Sequence, residues 1–132
     1  FVMIHDGARP FITDEILKRV YEQVQVQKAC VVGMPVKDTI KISDGDGYAD
    51  VTPPRSRVWM VQTPQVFAYS CIKDAYDKLI ADGRMDVTDD AMVLECMTGQ
   101  KTKLTLGSYE NIKITTPEDL VVAGAFLREN RE

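Results

Sequence analysis

Apolar segments that suit buried strands alternate with amphipathic segments along this chain, and this alternation limits the fold more than any other feature. The run FVMI at residues 1–4 is short and continuously apolar, as in parallel strands that are buried on both faces. Apolar residues at helical spacing follow within 14–24, and ACVVGM at 29–34 suits a second buried strand. This order predicts a right-handed crossover unit and an α/β fold with a mainly parallel sheet.

The stretch from about residue 36 to residue 57 has a different pattern. Polar and apolar residues alternate in it around a central DGDG, and two prolines close it. Asp-Gly pairs favour the positive φ angles of tight hairpin turns, so we predict a β-hairpin. Because the hairpin is polar on both sides of its turn, we expect it to project from the domain as an arm.

The second half of the chain continues the alternation of strands and helices. RVWMVQ suits a strand that runs into a turn at TPQVF, and KTKLTL and NIKIT suit two further extended segments. We expect Ser70 and Thr88 to open two helices, and Thr116 with Pro117 to open the last one. Ligands of α/β sheets lie beyond the carboxyl ends of the strands, so HDGARP, QTPQ and DVTDD are expected to converge on one cleft.

Composition excludes several classes of function. A chain of 132 residues fits one globular domain, and its formal charge of −4 argues against nucleic-acid binding, which needs a basic surface. The three cysteines lie in apolar segments without a C-x-x-C pair, and His5 is the only histidine, so no disulfide framework or zinc site is predicted. We expect a protein of the reducing cytoplasm that does not span a membrane.

Two charged residues follow the first strand. Asp6 has the chemistry to help hold Mg²⁺ beside substrate phosphates, but an aspartate after a strand also commonly caps a loop. Arg9 offers a planar fork that matches phosphate oxygens, and it could equally pair with Asp14 or Glu15 on the surface. From the residues alone, both alternatives stay open.

Further candidates stand near turns and helix starts. Lys113 lies between two isoleucines, where a nearly buried lysine needs a partner or a ligand, unless its strand is an edge that turns it outward. Thr63 and Thr88 stand where a turn or a helix begins, and such threonines usually act only as caps. A helix start also favours anions, so Thr88 could serve both purposes. The residues alone therefore indicate a phosphate-binding α/β domain.

Five segments together resemble one known family. HDGARPF, PVKDTIK, RVWMVQTPQVF, TDDAMVLE and NIKITTPEDL occur in that order, and they resemble the bacterial 2-C-methyl-D-erythritol 4-phosphate cytidylyltransferases of non-mevalonate isoprenoid biosynthesis. The resemblance runs from Phe1 to about Phe126. It implies a Rossmann-like sheet of the nucleotide-diphospho-sugar transferase type. It also implies cytidylyl transfer from CTP to a sugar-alcohol phosphate, with Mg²⁺ and release of pyrophosphate.

The resemblance also implies roles for single residues. Asp6 and Arg9 would position the acceptor, with Asp6 also near the metal or the ribose, and Lys113 would neutralise phosphate charge. Thr63 and Thr88 would bond to hydroxyl or phosphate groups of the acceptor. Two residues that flank the hairpin, Thr39 and Arg55, would reach into the site of the partner subunit of a homodimer, and Arg57 is an alternative to Arg55.

One departure from the family pattern concerns the nucleotide. The family has a Gly-rich basic loop that wraps the triphosphate of CTP, and no such segment occurs in this sequence. Because the chain starts inside a strand-like segment without a methionine, we expect it to be a fragment, one partial domain over 1–132, that is inactive by itself. The alternatives are a ribitol 5-phosphate cytidylyltransferase, which tends to lack the lysine found here as Lys41, and a non-catalytic acceptor-binding or dimerisation module.

Overall fold

The computed structural model describes residues 1–129. Strands and helices alternate as the sequence predicts. In chain order they are β1 (Val2–Ile4), α1 (Asp14–Gln27), β2 (Ala29–Pro35), β3 (Ile42–Ser43), β4 (Ala49–Val51), a short 3-10 helix (Arg55–Arg57), β5 (Trp59–Phe67), α2 (Tyr69–Ala81), α3 (Asp90–Thr98), β6 (Lys103–Leu106) and α4 (Pro117–Glu129). The prediction of an α/β fold is confirmed.

The main sheet is mixed, so the prediction of a mainly parallel sheet is wrong. Its strand order is β1-β5-β2-β6, and β5 runs antiparallel to both of its neighbours, while β2 and β6 are parallel. The error arose at TPQVF, which continues β5 as far as Phe67 and does not form a turn. Pro64 lacks an amide hydrogen, and β5 accommodates it where the pairing with β2 shifts register between Val31 and Gly33.

Two apolar layers cover the two faces of this sheet. Alternate residues of β2 point to opposite sides, so Ala29 and Val31 pack with α2 and α3, whereas Cys30 and Val32 pack with α1. Between these layers β2 is almost completely buried, which explains its continuously apolar sequence. Within residues 1–129, no helix combines the length and the apolar character that crossing a bilayer requires.

Local signals explain most of the helix ends. The side chain of Thr13 caps α1. The last helix, α4, begins at Pro117 after Thr116, as predicted, and Thr116 and Asp119 form a reciprocal cap there. Two other predicted caps are wrong. Asp89 caps α3 by accepting a hydrogen bond from the Met92 amide at 2.8 Å, so Thr88 lies one residue outside the cap, and α2 begins at Tyr69, before Ser70.

The hairpin is confirmed as a separate two-stranded sheet. Its strands β3 and β4 are joined by a turn in which Gly45 and Gly47 have φ angles of 97° and 96°. Every residue from 41 to 52 is exposed, and Lys41 donates a hydrogen bond to Thr52 across the hairpin at 2.7 Å. The arm therefore packs little of its surface against the main domain.

Candidate active site

A polar cleft lies where β1 ends against the middle of β5. Ile4 pairs with Gln65, so the residues that follow β1 come to lie beside Thr63. The cleft has a volume of about 300 Å³. Its walls are formed by Asp6, Arg9, Val61, Gln62, Thr63, Gln65, Thr88, Asp89 and Lys113. Five residues that the sequence singled out therefore line the same cleft, although they lie up to 107 positions apart in the chain.

Asp6 is held by contacts on three sides. Its amide donates a hydrogen bond to Thr63 Oγ1 at 3.0 Å, and its Oδ1 accepts one from the Ala8 amide at 3.1 Å. Its Oδ2 lies 2.6 Å from Nζ of Lys113. The Ala8 contact confirms that Asp6 caps its loop, and the remaining carboxylate oxygen carries the contact with Lys113. The hydrogen bond from Lys113, followed by that from Ala8, lowers the pKa of Asp6.

This pKa gives a first test of the site. In Lys113→Ala we expect the pKa of Asp6 to rise, because the largest cause of its depression is removed. A lowered folded-state pKa means that ionised Asp6 stabilises the fold above about pH 3.8, and that this contribution is lost as the pH falls through the folded-state pKa. A carbon-13 NMR titration of the carboxyl groups measures the change. Asp86, whose pKa is lowered by Arg84, serves as the control and should not change. Identical titration of Asp6 in both proteins would contradict the assignment.

Arg9 is fixed between the cleft and the segment that carries Lys113. Its Nη1 donates a hydrogen bond to the backbone carbonyl of Asn111 at 2.7 Å, so the alternative pairing with Asp14 or Glu15 is not what the structure adopts. Its Nε is buried and has no hydrogen-bond partner among residues 1–129. Burial lowers the pKa of Arg9, although a guanidinium stays charged at neutral pH. A half-buried cation with an unused donor is suited to an anionic ligand.

Lys113 lies on an irregular segment, and the prediction of a strand at NIKIT is wrong. Its side chain remains about half exposed, and Asp6 is the partner that the sequence indicated it would need. The segment is attached to the loop after β1, because the Ile114 amide donates to the Ala8 carbonyl at 2.8 Å. Backbone pairing thus places Lys113 opposite Asp6 without a strand.

The segment that carries Lys113 is held by buried amide side chains that sequence reasoning missed. Asn111 is fully buried and donates hydrogen bonds to Gln62 Oε1 at 3.1 Å and to the Thr63 carbonyl at 2.9 Å. Gln62 in turn donates to the Ser108 carbonyl at 2.7 Å. These bonds join β5 to residues 108–111. No motif could have indicated them, because single amide residues carry no periodic signal.

A third buried amide fixes the opposite wall of the cleft. Gln65 donates a hydrogen bond to Asp89 Oδ2 at 3.0 Å and accepts one from the Ala91 amide at 2.9 Å. Because Asp89 also caps α3, this side chain joins β5 to the start of that helix. Thr88 is therefore placed at the edge of the cleft by the residue that follows it.

Gly107 offers a second test, because it lies against the Gln62 side chain. A Cβ at this position would meet Gln62 Oε1 and would lie 2.6 Å from Cγ1 of the buried Val32. We expect Gly107→Ala to lower the free energy of unfolding by about 1–3 kcal/mol through overpacking. The control is Gly7→Ala, where no atom lies within 4 Å of the added methyl group, and where we expect a change within about 0.5 kcal/mol. Denaturant unfolding measures both, and equal effects would contradict the proposed clash.

With this geometry defined, similarity to known proteins identifies the family. The family model described as 2-C-methyl-D-erythritol 4-phosphate cytidylyltransferase matches residues 1–129. The chain belongs to this family. It is 48% identical over its whole length to the enzyme of that name from Lachnoclostridium phytofermentans and covers 57% of it. It is 52% identical over 97% of its length to the one from Lachnospira eligens, of which it also covers 57%.

Solved structures of cytidylyltransferases agree with the fold. The 4-diphosphocytidyl-2C-methyl-D-erythritol synthase of Anaerococcus prevotii superposes with a TM-score of 0.90 at 41% identity, over 96% of this chain and 56% of that one. The 2-C-methyl-D-erythritol 4-phosphate cytidylyltransferase of Thermus thermophilus gives 0.83 at 35% identity, over 96% and 61%. The chain thus spans about half the length of the curated relatives it matches.

The residues of the arm that are predicted to bind the acceptor in a partner subunit do not line the cleft of their own chain. Thr39 is exposed at the base of the arm. Arg55 and Arg57 are the two ends of the 3-10 helix that follows β4, and Arg55 donates a hydrogen bond to the Lys37 carbonyl at 3.1 Å. Their predicted role in a partner subunit stays a prediction.

The cleft residues fit Mg²⁺ only in a limited way. Within residues 1–129, no three His, Cys, Asp or Glu side chains lie close enough together to bind a metal ion. Both carboxylate oxygens of Asp6 already have a contact, and those of Asp89 bind Gln65 and Met92. Since each carboxylate oxygen has a second lone pair, Asp6 can still contribute a ligand to an ion that is held mainly by substrate phosphates.

Proposed function

We propose that this chain provides the acceptor side of a cytidylyltransferase that transfers a cytidylyl group from CTP to 2-C-methyl-D-erythritol 4-phosphate. The observation that supports this most directly is the position of Arg9 and Lys113 on one polar cleft with Asp6, Thr63 and Thr88. Two cations beside hydrogen-bonding side chains suit a sugar-alcohol phosphate. Membership of the family supports the identity of both substrates.

The reaction needs alignment and charge neutralisation more than covalent catalysis. An oxygen of the acceptor phosphate attacks the α-phosphorus of CTP, the new P–O bond forms, and the bond to the β-phosphate bridging oxygen breaks to release pyrophosphate. Arg9 and Lys113 would hold the acceptor phosphate in line and offset the repulsion between the two anions. Asp6 holds Lys113 over the cleft when no phosphate is bound. Mg²⁺, when bound, would neutralise charge on the triphosphate, with Asp6 as a candidate protein ligand.

The nucleotide side of the reaction is not evident in these residues. The eight glycines lie apart from one another except in the hairpin turn, so the sequence has no Gly-rich loop that could wrap a triphosphate. We therefore expect the 132-residue chain alone to be inactive with CTP. Its three cysteines are free thiols, which agrees with the proposed location in the reducing cytoplasm.

Pyrophosphate release from CTP and Mg²⁺ tests this function. The natural full-length protein and the 132-residue chain are each assayed with 2-C-methyl-D-erythritol 4-phosphate and with ribitol 5-phosphate. We expect turnover only by the full-length protein and only with the first acceptor. Turnover with ribitol 5-phosphate alone would replace the proposed acceptor, and no turnover by the full-length protein with either acceptor would favour a binding module. Turnover by the 132-residue chain would show that it also binds CTP.

We also propose a homodimer in which the arm contributes Thr39 and Arg55 to the partner's cleft. The exposed arm, with the apolar side chains of Ile42, Tyr48 and Val51 in contact with solvent, supports this assignment.

Mixing experiments test this homodimer. If Lys113 of one subunit and Arg55 of the other act in the same cleft, Lys113→Ala and Arg55→Ala are each inactive alone but regain activity when mixed and reassembled. Because Arg57 is the alternative to Arg55, Arg57→Ala is mixed with Lys113→Ala in the same way, and the arginine whose substitution abolishes activity is the one that acts. Activity that does not return on mixing would place both residues in one subunit.

A further inference from the structure

His5 directly follows β1, is exposed to solvent and contacts two of the residues that form the cleft. Its Nε2 is 3.0 Å from the backbone carbonyl oxygen of Arg9, and its Nδ1 is 3.0 Å from Oγ1 of Thr63. Thr63 lines the cleft, whereas His5 does not. It is the only histidine in the chain, and from the sequence it indicated only that a histidine-based metal cluster is excluded.

These two partners determine the tautomer of a neutral His5 ring. A carbonyl oxygen only accepts hydrogen bonds, so the Nε2 that faces Arg9 must carry the proton. The other ring nitrogen of a neutral imidazole is then an acceptor. Nδ1 can therefore contact Thr63 only by accepting the hydroxyl hydrogen of Thr63.

The hydrogen bonds of Thr63 leave it a single free position. A hydroxyl has one donor hydrogen and two acceptor lone pairs. The hydrogen goes to His5, and one lone pair accepts the amide hydrogen of Asp6 at 3.0 Å. What remains for a ligand in the cleft that Thr63 lines is one lone pair, which can accept a hydrogen bond, and the hydroxyl has no further hydrogen to donate.

We propose that His5 is a positioning residue that fixes the Thr63 hydroxyl as a hydrogen-bond acceptor, so that Thr63 binds a hydroxyl group of the acceptor substrate and not its phosphate. This proposal rests on the proposed function. A phosphate monoester that has lost both protons offers only acceptor oxygens and cannot bond to such a group. A polyol hydroxyl can donate to it. The phosphate is left to the groups that can donate, Arg9 and Lys113.

Thr88 differs from Thr63 in this respect. Its Oγ1 contacts only the thioether sulfur of Met92, at 3.5 Å, and a thioether is a weak acceptor. The hydroxyl hydrogen of Thr88 is thus available to a phosphate oxygen. The two threonines therefore orient the acceptor, with its polyol chain toward Thr63 and its phosphate on the side of Thr88 and Lys113.

The first part of the test measures the tautomer without reference to activity. The natural full-length protein is labelled with nitrogen-15 histidine, and the signal of His5 is identified by its absence in His5→Gln. In mildly alkaline buffer we expect a protonated Nε2 and an unprotonated Nδ1. In Thr63→Val the Nδ1 resonance should move toward that of a nitrogen with no hydrogen bond. A protonated Nδ1, or no effect of Thr63→Val, would overturn the proposal.

The second part separates the two contacts of His5 by matched substitutions. His5→Asn can keep an acceptor near the position of Nδ1, whereas His5→Gln can keep a donor near that of Nε2 and loses the acceptor. We expect His5→Gln to raise KM for the acceptor roughly 2- to 12-fold, the effect of one neutral hydrogen bond, with KM for CTP unchanged. His5→Asn should restore most of this loss.

A double substitution decides whether His5 acts through Thr63. Thr63→Val should raise KM for the acceptor, and adding His5→Gln to it should change nothing further, because the hydroxyl is already absent. If the two substitutions together raised KM for the acceptor by the product of their separate effects, or if KM for CTP rose equally, the proposal would be overturned. Absence of wild-type turnover with 2-C-methyl-D-erythritol 4-phosphate would instead refute the proposed function, and the NMR result would still stand or fall by itself.

Discussion

Replacement of Lys113 by alanine is expected to lower kcat/KM of the natural full-length protein by roughly 10²- to 10³-fold, the usual effect of removing one preorganised group that offsets charge in a transition state. Lys113 is the cation that the structure holds over the cleft, 2.6 Å from Asp6 Oδ2. When an acceptor phosphate binds, Nζ can exchange the carboxylate for a phosphate oxygen. Without this cation, Arg9 is the one basic side chain among the lining residues of the chain's own cleft that can offset the repulsion between the two anionic reactants.

The expected loss of kcat/KM in Lys113→Ala should not come from a loss of folding stability. The Lys113–Asp6 pair is open to solvent, and such pairs contribute little to stability, so the melting temperature should change only slightly. Lys101→Ala, at an exposed lysine outside the cleft, is the matched control and should retain full activity. Steady-state kinetics with both substrates varied measures the effect. A Lys113→Ala protein within 3-fold of wild type would show that this charge does not act in the reaction, whereas a large fall in melting temperature would point to a structural role.

The sequence predicted which residues meet but not how the backbone brings them together. Asp6 and Arg9 follow a recognisable strand, and the turn residues Gly7 and Pro10 identify their loop, so their position at the end of β1 could be expected. Thr63 was placed after a strand on the assumption of a parallel sheet. It lies instead within β5, which runs antiparallel to β1, and it reaches the cleft only because β1 is short.

The direction of β5 could not be derived from its residues. β5 mixes apolar residues with the polar Gln62, Thr63 and Gln65, so its pattern favours neither parallel nor antiparallel neighbours, and a proline is more common in turns than in strands. What decides the direction is the connection through the arm, whose path the local sequence does not specify. The pairing of Lys113 with Asp6 is similar, since a lone charged residue between isoleucines indicates the need for a partner but not its identity.

The buried amides show a different limit. Gln62 follows the apolar Val61, and Asn111 alternates with Ile112 and Lys113. Both patterns are as typical of exposed polar positions as of buried ones. Gln62 and Asn111 are buried because each provides the hydrogen bond that the other needs, and this complementarity exists only after β5 and the 108–111 segment have met. Pairs that stabilise each other over 49 positions are not visible in one sequence.

Asn111→Ala is expected to lower the free energy of unfolding of the full-length protein by about 2–6 kcal/mol, because it leaves two buried acceptors without a donor at about 1–3 kcal/mol each. These acceptors are Gln62 Oε1 and the Thr63 carbonyl. Denaturant unfolding measures the loss, and Gln27→Ala, at an exposed position of α1, is the control and should stay within about 0.5 kcal/mol.

The same substitution should also raise KM for the acceptor, and the reason lies in what Asn111 holds. Its backbone carbonyl accepts the hydrogen bond of Arg9, and Lys113 follows two residues later on a segment that has no helix or strand to fix it. Loss of the amide contacts should loosen both cations at once, since their geometry depends on the attachment to β5. If Asn111→Ala lost stability but kept its KM for the acceptor, the remaining contacts of the segment, such as the Ile114–Ala8 backbone bond, would be enough to place both cations, and the buried amides would serve only the fold.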